Sequence, residues 1–341
     1  MKLPRLLFKE QKLEDILRQI SDKDTIVIAD DYNFEIIKDI DFERRDIIRI
    51  EKASKKEVEK VKKNTNYITI IGIGGCSALD FARACGKEGC NFCAIPSILS
   101  TACISVNKSI LYENDHPIVK TTLSPKEVII SWPLITSTEA SELKKWSASG
   151  FGDLFAKISA IVDFIYREGK ISEDKITYTL IEEFISWNNL LNLLQILNWV
   201  NEKFETYDKD TLKKLAIWLY RVGLENILQN STLSTAGEHQ LYYKMQEQQK
   251  YDRRLPTHGQ LVSIGTLITA KIIEKKAKED ILFKKLKRAY KKLGLPVTYK
   301  DLSNIHVEKN HIVAGIKAME KQYFFLSTFF DEKLLDETYK E

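Results

Sequence analysis

Cysteine is scarce in this 341-residue chain, and its five residues all fall between Cys76 and Cys103. An odd number confined to one stretch argues against a disulfide framework of the secreted kind. Cys90-Asn-Phe-Cys93 has a redox or zinc spacing, but no second pair accompanies it and the apolar run CAIPSIL begins at its last residue. Small core residues are the simpler reading. Long apolar runs are missing too: nothing approaches the roughly 18 residues a spanning helix needs. The first residues, MKLPRLLFKEQKLEDIL, have neither the apolar centre nor the small-residue cleavage site of a signal peptide, so a cytoplasmic location is expected. Nor does one charge dominate. The 52 Lys and Arg face 48 Asp and Glu for a net +4, with no basic block above that mixed background. Nucleic-acid binding therefore has little support.

The length suggests two domains, each able to bury its own core. The first 135 or so residues alternate β-type runs rich in Ile and Val with helical segments. TIVIAD (25–30), DIIRIEKA (46–53), YITIIGIG (67–74), FCAIPS (92–97) and EVIISW (127–132) read as strands. SKKEVEKVKKN (54–64) and SALDFARACG (77–86) read as helices between them. Such alternation predicts a mostly parallel, Rossmann-like sheet, because parallel strands need helical crossovers. LYEN and VKTT, on either side of Asp115-His116, predict a hairpin.

From about Lys144 long helical periodicities take over, over 180–200, 210–230 and 259–280. The expected organisation is an α/β nucleotide-binding domain over 1–145 and an all-α metal- and substrate-binding domain over 146–341.

Three stretches carry candidate chemistry. In YITIIGIGGCSALDFARACG (67–86), Gly72, Gly74 and Gly75 separate a strand from a helix. Glycines there let backbone N–H groups approach a phosphate, and the helix start favours negative charge. Ser77 stands where the third glycine of the dinucleotide fingerprint would fall, so a plain strand-to-helix corner stays open. In STLSTAGEHQLYYKM (231–245), Thr235 and Glu238 form a capping-box pattern, as Thr257 and Gln260 do in THGQLVSIGTLI. His239 and His258 then lie in first helical turns, where the helix field keeps imidazole neutral and fit to bind a metal. A structural role for both is the rival reading. In SASGFGDLFAKISAIVDF (147–164), Gly150 and Gly152 precede Asp153, which reads as a helix-opening acid.

These pieces, in this order, resemble the dehydroquinate synthase-like superfamily, which includes glycerol dehydrogenases, sn-glycerol-1-phosphate dehydrogenases and iron-containing alcohol dehydrogenases. The resemblance runs from about residue 20 to 330. GIGGCSALDFAR is similar to the family's GGGxxxDxAK nucleotide loop, with Gly74, Gly75 and Asp80 in matching places and Cys76 for a third glycine. IPSILST is similar to its PTxxST strand end and brings in Ser100 and Thr101. GFGDLFAKISA resembles GxGDxxAKxTA, which implies Asp153 as a metal ligand. STAGEHQ and THGQLVSIGTL resemble SGxEH and HGExVxxGT, which imply His239 and His258 as the others. GEH and GFGDLFAK sit closest to the sn-glycerol-1-phosphate dehydrogenases.

The resemblance implies NAD or NADP as cofactor and one divalent metal, zinc ahead of iron. It implies reduction of a small, phosphorylated ketone such as dihydroxyacetone phosphate to its secondary alcohol. Asp30 is a candidate for a ribose hydroxyl, and Lys157, one turn from Asp153, for a catalytic or phosphate-binding role, with a solvated lysine as its rival. A homo-oligomer stays open, since relatives commonly associate. Two departures bear on function: Ala102 replaces an acid after the ST, and Gln260 replaces the glutamate of HGE. A sugar-phosphate cyclase with transiently used NAD, a glycerol dehydrogenase and a non-catalytic descendant are the alternatives. His116, His306 and His311 read as surface or packing residues, and Trp187, Trp199 and Trp218 as core.

Overall fold

The computed structural model describes residues 3–20, 23–40, 46–64, 67–114, 116–228, 236–248, 256–320 and 324–340. They form two compact units, Met1–Ser147 with Leu212–Ile227, and Ala148–Thr211 with Leu228–Glu341.

Among the described residues of the first unit, strands β1 (Arg5–Lys9), β2 (Thr25–Asp30), β3 (Asp46–Ile50), β4 (Thr69–Gly74), β5 (Asn91–Pro96) and β8 (Glu127–Ser131) make one parallel sheet. Its order is β1-β8-β5-β4-β2-β3. Strands β6 (Lys108–Glu113) and β7 (His116–Thr121) form the expected hairpin as a separate antiparallel pair. The central strands are apolar on both faces because helices cover both. On one face Val27, Ala29, Ile71, Ile73, Ile95 and Ile129 pack with Leu13, Ile16 and Leu17 of α1 (Leu13–Ile20), Ile37 of α2 (Asp31–Ile37) and Leu134. The other face carries α4 (Cys76–Cys85), which follows α3 (Lys55–Asn64) and β4. Strand β1 escapes the sequence reading because RLLFK is short and half-exposed, and its parallel register with β8 is visible only in the tertiary structure.

A short α5 (Trp132–Thr136) leads to α6 (Ala140–Arg167), 28 residues long. In the second unit the segment read as one helix over 180–200 is two, α7 (Tyr178–Trp187) and α8 (Leu193–Lys203). Asn189 takes a positive φ of 50° between them, and the Asn192 side chain caps α8. Asparagine tolerates both roles, so it stops an apolar periodicity that otherwise reads as continuous.

Helix α9 (Lys209–Leu228) puts most of its length in the first unit, a placement the sequence reading did not make. Then come α10 (Gly237–Gln248), α11 (His258–Ala277) and α12 (Ile281–Leu293). Helix α11 is buried from Gly259 through Ile273 and is the centre of its unit. Shorter helices α13 (Tyr299–Asn304), α14 (Lys309–Lys317), α15 (Phe325–Phe329) and α16 (Glu332–Tyr339) close the chain.

Candidate metal centre and glycine turn

Asp153 does not open a helix, contrary to the sequence reading. It lies in the middle of α6, which runs straight through Gly150 and Gly152. Glycine normally weakens a helix interior, but here α6 and α11 touch backbone to backbone. A Cβ on Gly152 would collide with the Gly259 carbonyl, and one on Gly259 with the Ser149 backbone. The Ser149 hydroxyl also accepts from Gly259 N–H at 2.9 Å. Tertiary contact therefore overrides local propensity and brings Asp153 beside the first residue of α11, His258. The Thr257–Gln260 capping box starts α11 as expected, and Gln260 Oε1 accepts from Thr257 N–H at 2.8 Å. Thr235 lies outside the described residues.

His258 Nε2 is 3.0 Å from Asp153 Oδ1 and 3.2 Å from His239 Nε2, and His239 Nε2 is 3.5 Å from Asp153 Oδ1. Among the described residues these three form the group of His, Cys, Asp or Glu side chains fit to hold a metal, with ligand atoms all within 4.8 Å. Metal–ligand bonds of about 2.0–2.2 Å put tetrahedral ligand atoms roughly 3.3–3.6 Å apart. The observed edges run from a little below that spacing into it, and one carboxylate with two imidazoles suits zinc or ferrous iron and leaves a position open. The Tyr242 ring stands edge-on to His258, with centroids 4.5 Å apart.

A fourth residue was missed as a functional one. Glu238, read from the sequence as a capping residue, is fully buried. Its Oε1 accepts from His239 Nδ1 at 2.6 Å and from Ala236 N–H at 3.0 Å, and the Ser159 hydroxyl lies 2.8 Å from Oε2. A buried acid next to a candidate ligand histidine was the available signal. The carboxylate keeps the proton on Nδ1 and turns Nε2 toward the centre.

Electrostatics follow from this packing. Burial alone raises the Asp153 carboxyl, yet hydrogen bonds from His239 and His258 outweigh it and hold it well below the usual range. Burial lowers the His239 imidazolium, but Asp153 and Glu238 raise it to about 9 without a metal. Lys157, one turn beyond Asp153, is 1% exposed, so it is no solvated surface lysine. Helices α6 and α10 are also tied together: Asp163 accepts from Gly237 N–H at 2.9 Å and from Phe325 N–H at 2.5 Å.

In the first unit, β2 continues to β3 on one side and β4 to β5 on the other, so the topology switches direction between β2 and β4. Open parallel sheets bind ligands outside the carboxyl ends of such strands. Asp30 and Gly74 occupy those ends. Gly74 has φ +138°, which only glycine adopts readily, and a Cβ there would run into the Asp30 carboxylate. Asp30 Oδ2 accepts from Gly75 N–H at 3.0 Å, while Oδ1 caps α2 through Asn33 N–H at 3.0 Å. Gly75 is the N-cap of α4 and Cys76 its first residue.

Asp80, which the resemblance places in the nucleotide loop, turns its carboxylate toward the hairpin. It is buried and accepts from Ile110 N–H at 3.1 Å, and burial, against Arg83 and that N–H, pushes its carboxyl up to about 6. It anchors the hairpin. Ser100 and Thr101 are buried, and Thr101 Oγ1 accepts from Cys103 N–H at 3.0 Å. Ala102 lies in the short 3-10 turn that Thr101 caps. His116 and His306 are exposed, and His311 caps α14 by accepting from Glu308 N–H at 3.2 Å. Trp187 is 74% exposed, against the expectation of a core residue, because α7 ends there.

No protein-family model matches the chain. It is 25% identical over 310 residues to a glycerol-1-phosphate dehydrogenase [NAD(P)+] of Methanococcus maripaludis, covering 88% of this chain and 86% of that one. It is 27% identical over 275 residues to the Sulfurisphaera tokodaii protein of the same name, covering 79% and 72%. Among solved structures, a probable glycerol dehydrogenase from Sinorhizobium meliloti superposes with TM-score 0.66 at 15% identity, covering 98% of this chain and 95% of that one. An iron-containing alcohol dehydrogenase from Corynebacterium glutamicum does so with TM-score 0.62 at 14%, covering 99% and 96%. The chain thus resembles glycerol-1-phosphate dehydrogenases in sequence and has the fold of the iron-containing alcohol dehydrogenases. Among the described residues no helix is long and apolar enough to cross a membrane.

Proposed function

We propose that the chain is a metal-dependent, NAD(P)-linked oxidoreductase that interconverts a small phosphorylated ketone and its secondary alcohol, dihydroxyacetone phosphate and sn-glycerol 1-phosphate. The observation that carries this reading is the convergence of Asp153, His239 and His258 within 4.8 Å. Curated relatives named for this reaction across most of both chains support it.

Held by these three residues, a divalent ion, zinc ahead of iron, supplies Lewis-acid stabilisation of negative charge on the substrate's carbonyl oxygen, and the nicotinamide supplies the hydride. The chain's own residues do the rest. Hydrogen bonds from His239 and His258 favour the ionised form of Asp153, which provides the centre's one negative ligand. Glu238 orients His239. Lys157 offers a buried positive charge one turn from Asp153 for the substrate phosphate.

In the nucleotide turn, the N–H of Cys76 at the start of α4 would face the cofactor pyrophosphate, with Gly74 supplying the backbone turn and Gly75, held by Asp30, the N-cap. Asp30 takes a ribose hydroxyl, and Ser100 and Thr101 line the strand end. Asp80 supports this turn from the hairpin side, through Ile110. Residues 1–145 and 146–341 approximate the nucleotide and metal halves, with the α9 segment Leu212–Ile227 added to the first.

The test is steady-state oxidation of NADH and NADPH by metal-loaded protein with dihydroxyacetone phosphate, against unphosphorylated dihydroxyacetone. Turnover that prefers the phosphorylated ketone is expected. No turnover with either ketone overturns the proposal. So does phosphate release from a sugar phosphate with no net nicotinamide change, which marks a cyclase.

A further inference from the structure

We propose that Cys76 and Cys103 form a site of reversible disulfide modification directly behind the glycine turn. The inference is independent of the reaction assigned above. Cys76 is the first residue of α4, and Cys103 sits inside the 3-10 turn Ala102–Ile104. All five cysteines are free thiols, yet these two sulfurs lie 2.6 Å apart. That is about half an ångström beyond a covalent S–S bond of about 2.05 Å, so closing the bond needs little movement.

Both sides of the pair are held in place. Cys103 N–H donates to Thr101 Oγ1 at 3.0 Å, and its carbonyl accepts from the buried Arg83 guanidinium. The same guanidinium donates to Val106 O at 2.8 Å and Lys108 O at 3.0 Å. Thr101 Oγ1 is also 2.9 Å from Cys76 Sγ, which fixes that thiol from the other side. The remaining cysteines have other surroundings. Cys90 Sγ donates to the Tyr67 carbonyl at 3.2 Å, and Cys85 and Cys93 are buried among apolar residues.

Hydrogen peroxide is the oxidant. The contact with Cys76, then burial, push the Cys103 thiol well above the ordinary range, so Cys76 sulfur attacks the peroxide and Cys103 resolves the product. The Cys76 sulfur forms an S–O bond as the O–O bond breaks, giving a sulfenic acid, and the released hydroxide takes the Cys76 proton as water. Cys103 sulfur then attacks Cys76 sulfur, the S–O bond breaks, and the Cys103 proton leaves with the departing hydroxide as water. Two thiols and one peroxide give one disulfide and two waters. The bond ties the start of α4 to the loop carrying Ser100 and Thr101, closing a loop over residues 76–103.

The experiment treats the reduced full-length chain with stoichiometric hydrogen peroxide, then counts free thiols, maps linked peptides by mass spectrometry and measures Tm. The thiol count is expected to fall from five to three, with a Cys76–Cys103 peptide, a Tm rise of about 5–10 °C, and full reversal by dithiothreitol. Cys90→Ser still forms the bond; Cys76→Ser and Cys103→Ser do not. A linkage between other cysteines, or oxygen adducts on Cys76 with no linked peptide, overturns the proposal. Loss of two thiols in Cys103→Ser also overturns it, and that readout does not depend on the variant's stability.

Discussion

Glu238 Oε1 lies 2.6 Å from His239 Nδ1, and the opposite ring nitrogen of the same histidine lies 3.2 Å from His258 Nε2. One buried carboxylate thus decides which nitrogen His239 turns to the centre. Glu238→Ala is expected to weaken zinc binding about 10–100-fold, since ligand-orienting partners are worth that much. Glu238→Gln should recover part of the loss, because its amide oxygen still accepts from Nδ1. Competition against a fluorescent zinc chelator measures both variants; unchanged affinity in Glu238→Ala refutes the orienting role.

Metal loading must displace a proton. Without metal the His239 imidazolium is held up to about 9, so at neutral pH the ring carries a proton where the ligand lone pair belongs. Apparent zinc affinity is therefore expected to rise about tenfold per pH unit from neutrality and to level off near pH 9. Calorimetry in buffers of different ionisation enthalpy reads the released proton directly. A flat profile between pH 7 and about 9 contradicts this prediction.

Gly152→Ala opposes two effects. Alanine improves helix propensity by up to about 1 kcal/mol, but its methyl meets the Gly259 backbone, which cannot rotate away. Forced overpacking costs about 1–3 kcal/mol, so the variant should be less stable in urea unfolding. It should also bind metal more weakly, because the same contact seats Asp153 beside His258. A variant as stable as the parent would show that α6 and α11 can separate freely.

The helix positions were partly legible in the sequence, for identifiable reasons. Strands β2, β4, β5 and β8 announce themselves through Ile- and Val-rich runs, and the Thr257 capping box marks the start of α11. Asp153 lies with His239 and His258 in the structure, but its place inside α6 is not what the sequence pattern suggests. Gly150 and Gly152 look like a helix boundary until the partner glycine on α11 is known, and that glycine lies more than a hundred residues away. Separation in sequence likewise hides Asp163, whose partners at Gly237 and Phe325 come from other helices. Asp80, a motif position in the sequence, has a carboxylate that serves the hairpin through Ile110 N–H, a contact 30 residues away that no local pattern reveals.

Asp163 makes stability depend on pH. Burial pushes its carboxyl up to about 7 from an ordinary 3.8; Glu238 adds to this, and the N–H of Gly237 and of Phe325 oppose it. Because the folded value is the higher one, its stabilising contribution is full below about pH 4 and is lost as pH rises through about 7. Asp163→Asn should lower stability overall, since an amide NH₂ then faces a backbone N–H. It should also lose less stability than the parent between pH 5 and 8. Urea midpoints at those two pH values check both, and an undiminished loss in the variant assigns the effect elsewhere.

The central claim is that Asp153, His239 and His258 share one divalent ion. Titration of metal-free protein with zinc, followed by metal analysis after gel filtration, tests it most directly. The account predicts one tightly held equivalent per chain, lost in each of Asp153→Asn, His239→Ala and His258→Ala while the chains stay folded by circular dichroism. Wild-type protein that retains no ion, or three variants that hold zinc as tightly as the parent, would contradict it.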